Sequence, residues 1–435
     1  MKLKVNKKLF FKIHSWIGIK LSILFFIVCF SGTLATLSHE MDWLFIPEIR
    51  ATPQKELASR NLIIEKIKEK YPNGNIAYWK RPGEPYLCNM IHIKEKGKGR
   101  IYVLANPYTG EIQGSVNLSF QRFFRDLHYF LFIPFQIGNF TVLLFGFLLF
   151  ISMVTALVFY KNWWKKLFIL QTGKGTLVFY RSLHRLVGLW SIPFIMLFSV
   201  TGMWYFMERA NVGNLVESVN IRSPRVIAPK NIDSIANISY EIDYDKAIKI
   251  AEKEILNFQV SGISPSSNRK EAIYFSGKSD EPLVRLRANR VYLDPNTYDV
   301  LKVQDASKIN TLMWFNDIAD PLHFGNWGGL ITKLIWFIAG LAISSLVLSG
   351  IWIMLKRKKN KNKKEQRKTM GAWKYVNWFF YVVLLVFMYS KIITTYRAST
   401  KVVFVVSIGW SIFILLGYYI FVYRLSKVVN KNNVI

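Results

Sequence analysis

The sequence predicts a polytopic α-helical membrane protein, and two observations carry that prediction. Of the 435 residues, 51% are hydrophobic and 16% are aromatic, a larger aromatic share than soluble chains of this length usually have. Six stretches are apolar over about the 20 residues that a helix needs to cross a bilayer. Their apolarity is continuous rather than alternating, which favours helices over the strands of a membrane barrel.

Basic residues indicate the orientation of the spans. The formal net charge is +31, from 58 Lys and Arg against 27 Asp and Glu. The basic residues cluster at the N-terminus, between spans two and three, at 356–368 and in the C-terminal tail, and alternation of the spans places all four clusters on one side. The positive-inside rule makes that side cytoplasmic. A nucleic-acid patch is the alternative for 356–368, but its position directly after a span favours the topological interpretation, and no nucleic-acid partner is expected.

The spans divide the chain. Residues 1–38, 139–160, 185–207 and 330–355 are expected to form four spans, the first of them uncleaved, and 374–423 a hairpin of two extra C-terminal helices. Residues 161–184 and the basic stretch 356–373 are expected to be cytoplasmic loops, and 424–435 a cytoplasmic tail. The two long segments, 39–138 and 208–329, then face outward.

Each outward segment is expected to be a small α+β module. In both, a Pro-containing turn separates two β-rich stretches, in "RIYVLANPYTGEIQG" (100–114) and in "RVYLDPNTYDVLKV" (290–303). In the second segment, "DYDKAIKIAEKEI" (243–255) has the pattern of an amphipathic helix. Cys29 and Cys88 are not expected to form a disulfide, because Cys29 lies within an apolar stretch.

The chain also contains an internal repeat. His14 and His184 each stand at the start of an outward-going span, and each is followed by glycine at the fourth and eighteenth positions. His128 and His323 each precede a returning span, and the first basic residue after that span lies 33 positions on in both cases. The first four spans and the two modules are therefore expected to form two copies of one unit.

The repeat predicts two histidine pairs at two depths. A pseudo-twofold axis along the membrane normal would place His14 opposite His184 near the cytoplasm and His128 opposite His323 near the outer surface. Facing imidazoles suit bis-histidine ligation of haem iron, and four-helix bundles commonly hold cofactors between facing helices. We therefore expect a pseudo-twofold four-helix haem-binding bundle. Zinc usually needs four ligands at one site and fits two separate pairs less well.

Two interpretations in which the histidines bind no ligand compete with the haem hypothesis. A histidine at a helix end is often only an interfacial residue, and shared ancestry of the halves could preserve its position without a function. Four matched positions among six histidines favour ligands.

His39 lies 25 residues beyond His14, about 37 Å along a helix or roughly one membrane thickness. Its repeat equivalent is Arg209, so it has no symmetric partner, although it could replace one member of the outer pair. His92 is expected to be an ordinary surface residue.

Three stretches resemble the PepSY-associated transmembrane family of iron-regulated bacterial membrane proteins. They are "KIHSWIGIKLSILFFIVCFSGTLATLSHEMDWLFIPE" (12–48), "RSLHRLVGLW" (181–190) with "TGMWYFMERAN" (201–211), and "DPLHFGNWGGLITKLIWFIAGL" (320–341). The turn-containing modules look like PepSY domains. The resemblance covers about residues 8–357, so the last two spans fall outside it. Its most specific elements are the HxxxG span starts, the segment following the first span and the LHxGxxGG motif before the fourth.

The resemblance implies a function. Members act in uptake of siderophore-bound iron, and some are di-haem ferric-siderophore reductases of the bacterial inner membrane. Matched by position, His14, His184, His128 and His323 would be the axial iron ligands of two b-type haems, and His39 falls in the family's HExD segment. The stretch around His128, "DLHYFLFIPFQIGN", departs from the pattern because it is longer and poorer in glycine than its partner.

The expected activity is a haem-dependent ferric-siderophore, or ferric-chelate, oxidoreductase in the bacterial cytoplasmic membrane with both termini cytoplasmic. No GxGxxG fingerprint follows a strand, so the electron donor is expected to be a quinol, a flavoprotein or a thiol reductant. Two alternatives remain. One is a haem-free transporter of iron chelates, whose repeats would support alternating access. The other is a regulatory protein whose PepSY modules bind a peptide or protease partner.

Overall fold

The computed structural model describes residues 6–227, 237–266, 268–359 and 371–424. The α-helices, in chain order, are α1 (Lys7–Lys20), α2 (Ser22–Thr36), α3 (Ser38–Phe45), α4 (Arg60–Lys70), α5 (Phe120–Phe130), α6 (Phe135–Phe159), α7 (Thr176–Trp190), α8 (Ile192–Arg209), α9 (Leu215–Val219), α10 (Tyr244–Lys253), α11 (Thr311–Phe324), α12 (Gly329–Lys359), α13 (Trp373–Ser390) and α14 (Thr400–Tyr418). The strands are β1 (Asn75–Lys80), β2 (Asn89–Lys94), β3 (Ile101–Ala105), β4 (Ile112–Val116), β5 (Gln259–Ser264), β6 (Ile273–Lys278), β7 (Asn289–Leu293) and β8 (Val300–Gln304). Most of the predicted basic loop (356–373) and nearly all of the predicted tail (424–435) lie outside the described residues.

The helices form a multi-pass membrane protein. Four of them, α6, α12, α13 and α14, are each long and apolar enough to cross a membrane. The pairs α1–α2 and α7–α8 also qualify if each pair counts as one span, which gives up to six spans in the described chain. Their apolar side chains have no polar face to present to water, so burial in lipid is the stable arrangement.

The first and third spans are each bent at a break between two helices. The axes of α1 and α2 differ by 74°, and those of α7 and α8 by 60°. The second bend has a direct cause: Pro193, in the first turn of α8, has no N–H to donate, and its ring conflicts with the carbonyl four residues earlier. The first bend falls at Leu21, and no such residue accounts for it. Both bends lie seven residues after a repeat histidine, so the repeat includes them.

Each of the four matched spans packs against one span of its own half and one span of the other half. Helix α2 packs against α12, α6 against α8, α1 against α6, and α7 against α12. Helices α6 and α8 meet at two glycines, where a Cβ added to Gly146 would lie 3.3 Å from the backbone of Gly202. The C-terminal hairpin packs on the first half, with Tyr381, Leu384 and Met388 of α13 in the same apolar cluster as α2.

The two outward segments form one sheet, whereas the sequence predicted two separate modules. The strand order is β4-β3-β2-β1-β5-β6-β7-β8, and every neighbouring pair is antiparallel. Strands β1 and β5 join the halves through the pairs Trp79 with Ile263 and Lys80 with Gly262. Two separate four-stranded sheets would each have two edges of unpaired N–H and C=O groups, and this junction covers one edge of each, β1 and β5.

Within each half the predicted elements are present. Four strands and one helix, α4 or α10, pack into a single apolar core shared by the two halves. The predicted turns are made by side chains that bond to their own backbone: Asn106 Oδ1 accepts from the N–H of Tyr108 at 2.9 Å, and Asp294 Oδ1 accepts from Asn296 at 2.7 Å. Both cysteines are free, as expected.

A reciprocal pair of helix caps also joins the halves. The carboxylate of Asp245, in α10, accepts from the backbone N–H of Arg60 at 2.8 Å and of Asn61 at 3.5 Å, at the start of α4. In return, the side-chain oxygen of Asn61 accepts from the backbone N–H of Tyr244 at 2.8 Å, at the start of α10. In the first turn of each helix, a side chain from the other half thus adds to the helix's own N-cap residue, Ser59 or Asp243.

We expect Asp245→Ala to lower the local unfolding free energy of α4 by about 1–2 kcal/mol, because a cap acceptor is lost. Hydrogen exchange of the first-turn amides of α4 measures this in nanodiscs. Lys249→Ala, an exposed position on the same helix as Asp245, is the control and should leave the exchange unchanged. Equal protection in the two variants would contradict the capping role.

Candidate functional site

The four repeat-matched histidines meet in two pairs. His14 of α1 and His184 of α7 have ring centroids 6.4 Å apart, and His128 of α5 and His323 of α11 have ring centroids 6.2 Å apart. Each pair takes one ring from each half of the chain. The structure therefore brings together the pairs that the repeat predicts, and the role of these rings as iron ligands stays a prediction.

The inner pair lies in α1 and α7, the first helix of each bent span. The Nδ1–H of His14 donates to the backbone carbonyl of Ser152 at 2.9 Å, and Nδ1 of His184 lies 2.8 Å from the hydroxyl of Ser349. Both partners are on the returning spans, α6 and α12. The bends after α1 and α7 turn the next helices away, so each histidine packs sideways against a returning span.

The outer pair is held in the same manner by the outward-going spans. The Nδ1–H of His128 donates to the backbone carbonyl of Val28 at 2.9 Å, and Nδ1 of His323 lies 2.7 Å from the hydroxyl of Thr201. A Cβ added to Gly32 would lie 2.7 Å from Cε1 of His128, so only glycine leaves room for that ring.

In all four rings, then, Nδ1 has a partner from a neighbouring span, and Nε2 makes no hydrogen bond to any described residue. A carbonyl partner requires the proton to be on Nδ1, which leaves a lone pair on Nε2. Metal-binding histidines typically donate their second N–H to a carbonyl or similar acceptor, which fixes the ring and strengthens the ligand. Among the described residues, no group of three or more His, Cys, Asp or Glu is placed to hold a metal ion. A site of the usual zinc type is therefore not formed by them.

His39 contacts a carboxylate and not another histidine. Its Nδ1 lies 3.3 Å from Glu84, whose other contact is the ammonium of Lys333. Lys333 is only 5% exposed and also donates to Glu40 at 2.8 Å. Burial alone would raise the pKa of Glu84, but the hydrogen bond and charge of His39 and the charge of Lys333 outweigh it and hold that pKa well below its usual range. This network connects α3, the first outward segment and α12.

One member of this network has a recognisable signal in the sequence. Lys333 lies near the start of the fourth predicted span, where a charged side chain is costly unless it reaches an anion. Its position alone therefore indicates a nearby carboxylate. Its partners Glu40 and Glu84, in contrast, lie far from it in the sequence, and no sequence pattern indicates that they contact it.

A second carboxylate network supports the outer pair in the second half. Asp320, three residues before His323, accepts from the hydroxyl of Tyr205 at 2.8 Å and from Arg285 at 3.1 Å. The ring of Tyr205 also lies against His323, with centroids 5.6 Å apart. Arg285 donates in addition to the buried Asp317 at 2.5 Å. Helix α11 is thereby tied to α8 and to the outward sheet.

The first half has a network of the same kinds of side chain, drawn from different elements. Asp126, two residues before His128, is fully buried and accepts from Arg122 at 2.9 Å. It also accepts from the hydroxyl of Tyr396, which follows α13. The tyrosine of the second half comes from its own repeat unit, whereas that of the first half comes from the C-terminal hairpin. No feature of the sequence indicates that the hairpin reaches this site.

We expect Lys333→Met to destabilise the protein strongly, because it removes the buried ammonium that the partly buried carboxylates of Glu40 and Glu84 share. Breaking a buried ion pair on one side typically costs about 3–5 kcal/mol. Thermal unfolding in one detergent measures the loss. The double variant Lys333→Met/Glu84→Gln carries one buried charge fewer and should recover part of it. A single variant as stable as the parent would show that the network contributes nothing.

A comparison with known families matches most of the chain. The family model described as the PepSY-associated TM region matches residues 11–357, from the first helix through the fourth span. The match includes all four paired histidines and the whole sheet, and it ends before the C-terminal hairpin. No curated protein matches the chain. Because the match covers well over half of the 435 residues, this chain belongs to the PepSY-associated transmembrane family.

Proposed function

We propose that this protein carries electrons across the bacterial cytoplasmic membrane through two b-type haems and reduces a ferric chelate, such as a ferric siderophore, on the outer side. One observation carries the proposal. Two histidine pairs, each with one ring from either half of the chain, have ring centroids 6.4 and 6.2 Å apart. Haem supplies one-electron iron(III)/iron(II) chemistry at a potential that its axial ligands help to set.

The spacing of the rings fits ligation of one iron from two sides. A metal–imidazole bond is about 2.0 Å long and the ring centre lies about 1 Å beyond the nitrogen, so two opposed ligands have centroids about 6 Å apart. A direct hydrogen bond between two ring nitrogens, about 2.9 Å long, would bring the centroids to about 5 Å. The observed distances match the first case, and each ring has an Nε2 without a partner among the described residues.

The protein side chains would do three things in this mechanism. The Nδ1 hydrogen bonds to Ser152, Val28, Ser349 and Thr201 hold the rings in place. Where the partner is a carbonyl, the bond also fixes the tautomer that presents Nε2 as the ligand. Aromatic side chains pack against the rings, Phe159 on His14 and Phe198 on His323, and would limit the access of water to the sites.

The two pairs also lie far enough apart to move charge across the bilayer. Trp336 of α12 donates to the carbonyl of Leu322, which adjoins His323, and Ser349, which contacts His184, lies 13 residues farther along the same helix. At 1.5 Å per residue this is about 20 Å. Electrons would therefore cross the roughly 30 Å hydrocarbon core in three steps: a short one to the inner pair, one between the pairs, and a short one from the outer pair to the acceptor.

The absorption spectrum of the purified full-length protein tests the proposal. We expect a Soret band of low-spin, bis-histidine haem and sharp α and β bands after dithionite reduction, with two haems per chain. His184→Ala and His323→Ala should each remove about one haem. Unchanged haem content in both variants would exclude these ligands. A colourless, fully folded protein would overturn the proposal in favour of the haem-free transporter or the regulatory alternative.

Gly32→Ala should lower haem content at the outer site only, because the new methyl group would overlap the ring of His128. Gly18→Ala is the matched control, since a Cβ there meets nothing within 4 Å and its glycine occupies another repeat position of the same span. Haem per polypeptide and the reduced spectrum measure the effect. If the two variants retain equal haem, Gly32 is not required for the outer ring to take its place.

A further inference from the structure

The outer face of the first half carries a dense set of basic side chains. They come from β2, the turn after it, α5 and the segment between α13 and α14: Lys94, Lys98, Arg100, Arg122, Lys391 and Arg397. The guanidinium groups of Arg100 and Arg122 lie 5.5 and 5.9 Å from the ring centre of Tyr396, which places the cations of the sheet and of α5 beside the hairpin. We call this set the basic patch.

Few carboxylates neutralise the basic patch. Among the described residues, Asp126 accepts from Arg122 at 2.9 Å, and Glu95 lies 2.8 Å from Lys98. The effect of the uncompensated charge is visible at a neighbouring ring. Burial, followed by the charges of Arg100, Lys94 and Arg122, lowers the pKa of His92 to about 4. A positive potential therefore extends over this part of the outer surface.

A cavity of about 240 Å³ lies in the basic patch, between the sheet and the hairpin. Its lining includes two cations, Lys98 and Arg397, and two small hydrogen-bonding side chains, Ser115 and Asn117. Arg397 is held from both sides. Its guanidinium donates to the carbonyl of Gly97, and its stem packs on Gly99, where a Cβ would lie 3.0 Å from Arg397 Cγ.

This arrangement suits an anion. A guanidinium has five N–H donors in a planar fork that matches a carboxylate, and only one of its nitrogens bonds to a described residue here. Holding the arginine in place before binding reduces the entropy that the ligand must overcome. The cavity is smaller than the roughly 300–1,000 Å³ of pockets that enclose drug-sized ligands, so it fits a carboxylate arm or a small polycarboxylate complex.

The basic patch is close to the outer histidine pair. Arg122 precedes His128 by six residues on α5, about 9 Å along the helix axis. The hydroxyl of Tyr396, next to Arg397, donates to Asp126 on the same helix. A ligand in the cavity would therefore be positioned by the same contacts that hold the helix carrying His128.

We propose that this cavity binds the electron acceptor, and that the acceptor is an anionic, carboxylate-rich ferric chelate and not a neutral or cationic one. The inference rests on the proposed function and names its substrate class. The outer histidine pair would hold the haem that supplies one electron to each chelated iron(III), which becomes iron(II). A quinol donor, oxidised to a quinone with release of two protons, would supply two electrons and so serve two ferric ions. Arg397 lies outside the residues that the family model matches, so this specificity belongs to the hairpin.

Binding is tested with gallium(III) citrate, a redox-inert anionic probe, on the full-length protein in nanodiscs of neutral phosphatidylcholine. Calorimetry should show binding that weakens as salt is raised. Lys98→Gln/Arg397→Gln should weaken it at least tenfold, whereas Lys249→Gln, an exposed lysine on α10, should not. A neutral gallium trihydroxamate should bind no better to the parent than to the double variant. Equal affinity of parent and double variant for gallium citrate would overturn the proposal.

Two further arms separate the proposal from its alternatives. In the first, phosphatidylglycerol is added to the nanodiscs, and displacement of gallium citrate by this lipid would identify a headgroup site and overturn the assignment. In the second, reduction of ferric citrate is followed in the double variant and in His323→Ala. The proposal predicts that His323→Ala keeps its affinity for gallium citrate and loses reduction. If no chelate is reduced by the parent while binding still requires Arg397, the proposed function fails and the anion site stands.

Discussion

A histidine ring inside a membrane bundle needs a partner for every nitrogen that carries a proton, because lipid supplies none. That constraint orients the candidate site. His14 and His128 donate to backbone carbonyls of Ser152 and Val28, and the second ring of each pair meets a hydroxyl. With Nδ1 committed to a neighbouring span, Nε2 is the only atom left to bind a ligand. The spans therefore set both the position of the rings and the chemistry that they can perform.

The helices that carry the outer histidines, α5 and α11, are supported by similar contacts that different residues make in the two halves. Each outer histidine follows a carboxylate that a tyrosine and an arginine hold, but the tyrosine is Tyr205 in the second half and Tyr396 in the first. The first half therefore depends on the C-terminal hairpin for a contact that the second half makes within its own repeat. The last two spans thus have a structural role, because they complete the support of the helix that carries His128.

The sequence predicted much of this arrangement, because the two halves share one fold and the equal spacing of their matched residues is visible in the sequence. Matched positions identified the four histidines that pair, and turn residues identified the hairpins. The bend at Leu21 was missed because its sequence has no proline, and the joining of the two modules was missed because strand pairing across halves leaves no local pattern. The contacts of Lys333 and Tyr396 connect segments far apart in sequence, and a single chain gives no measure of such proximity.

The shared sheet bears on which function these halves can serve. Alternating access requires the two halves to rock against each other around a central site. Here β1 pairs with β5 across the halves, and Asp245 and Asn61 cap each other's helices. Such motion would have to break these contacts, or bend around them, in every cycle. Electron transfer needs the opposite, since ligands from both halves must keep a fixed separation, and a continuous sheet above the bundle favours that rigid arrangement.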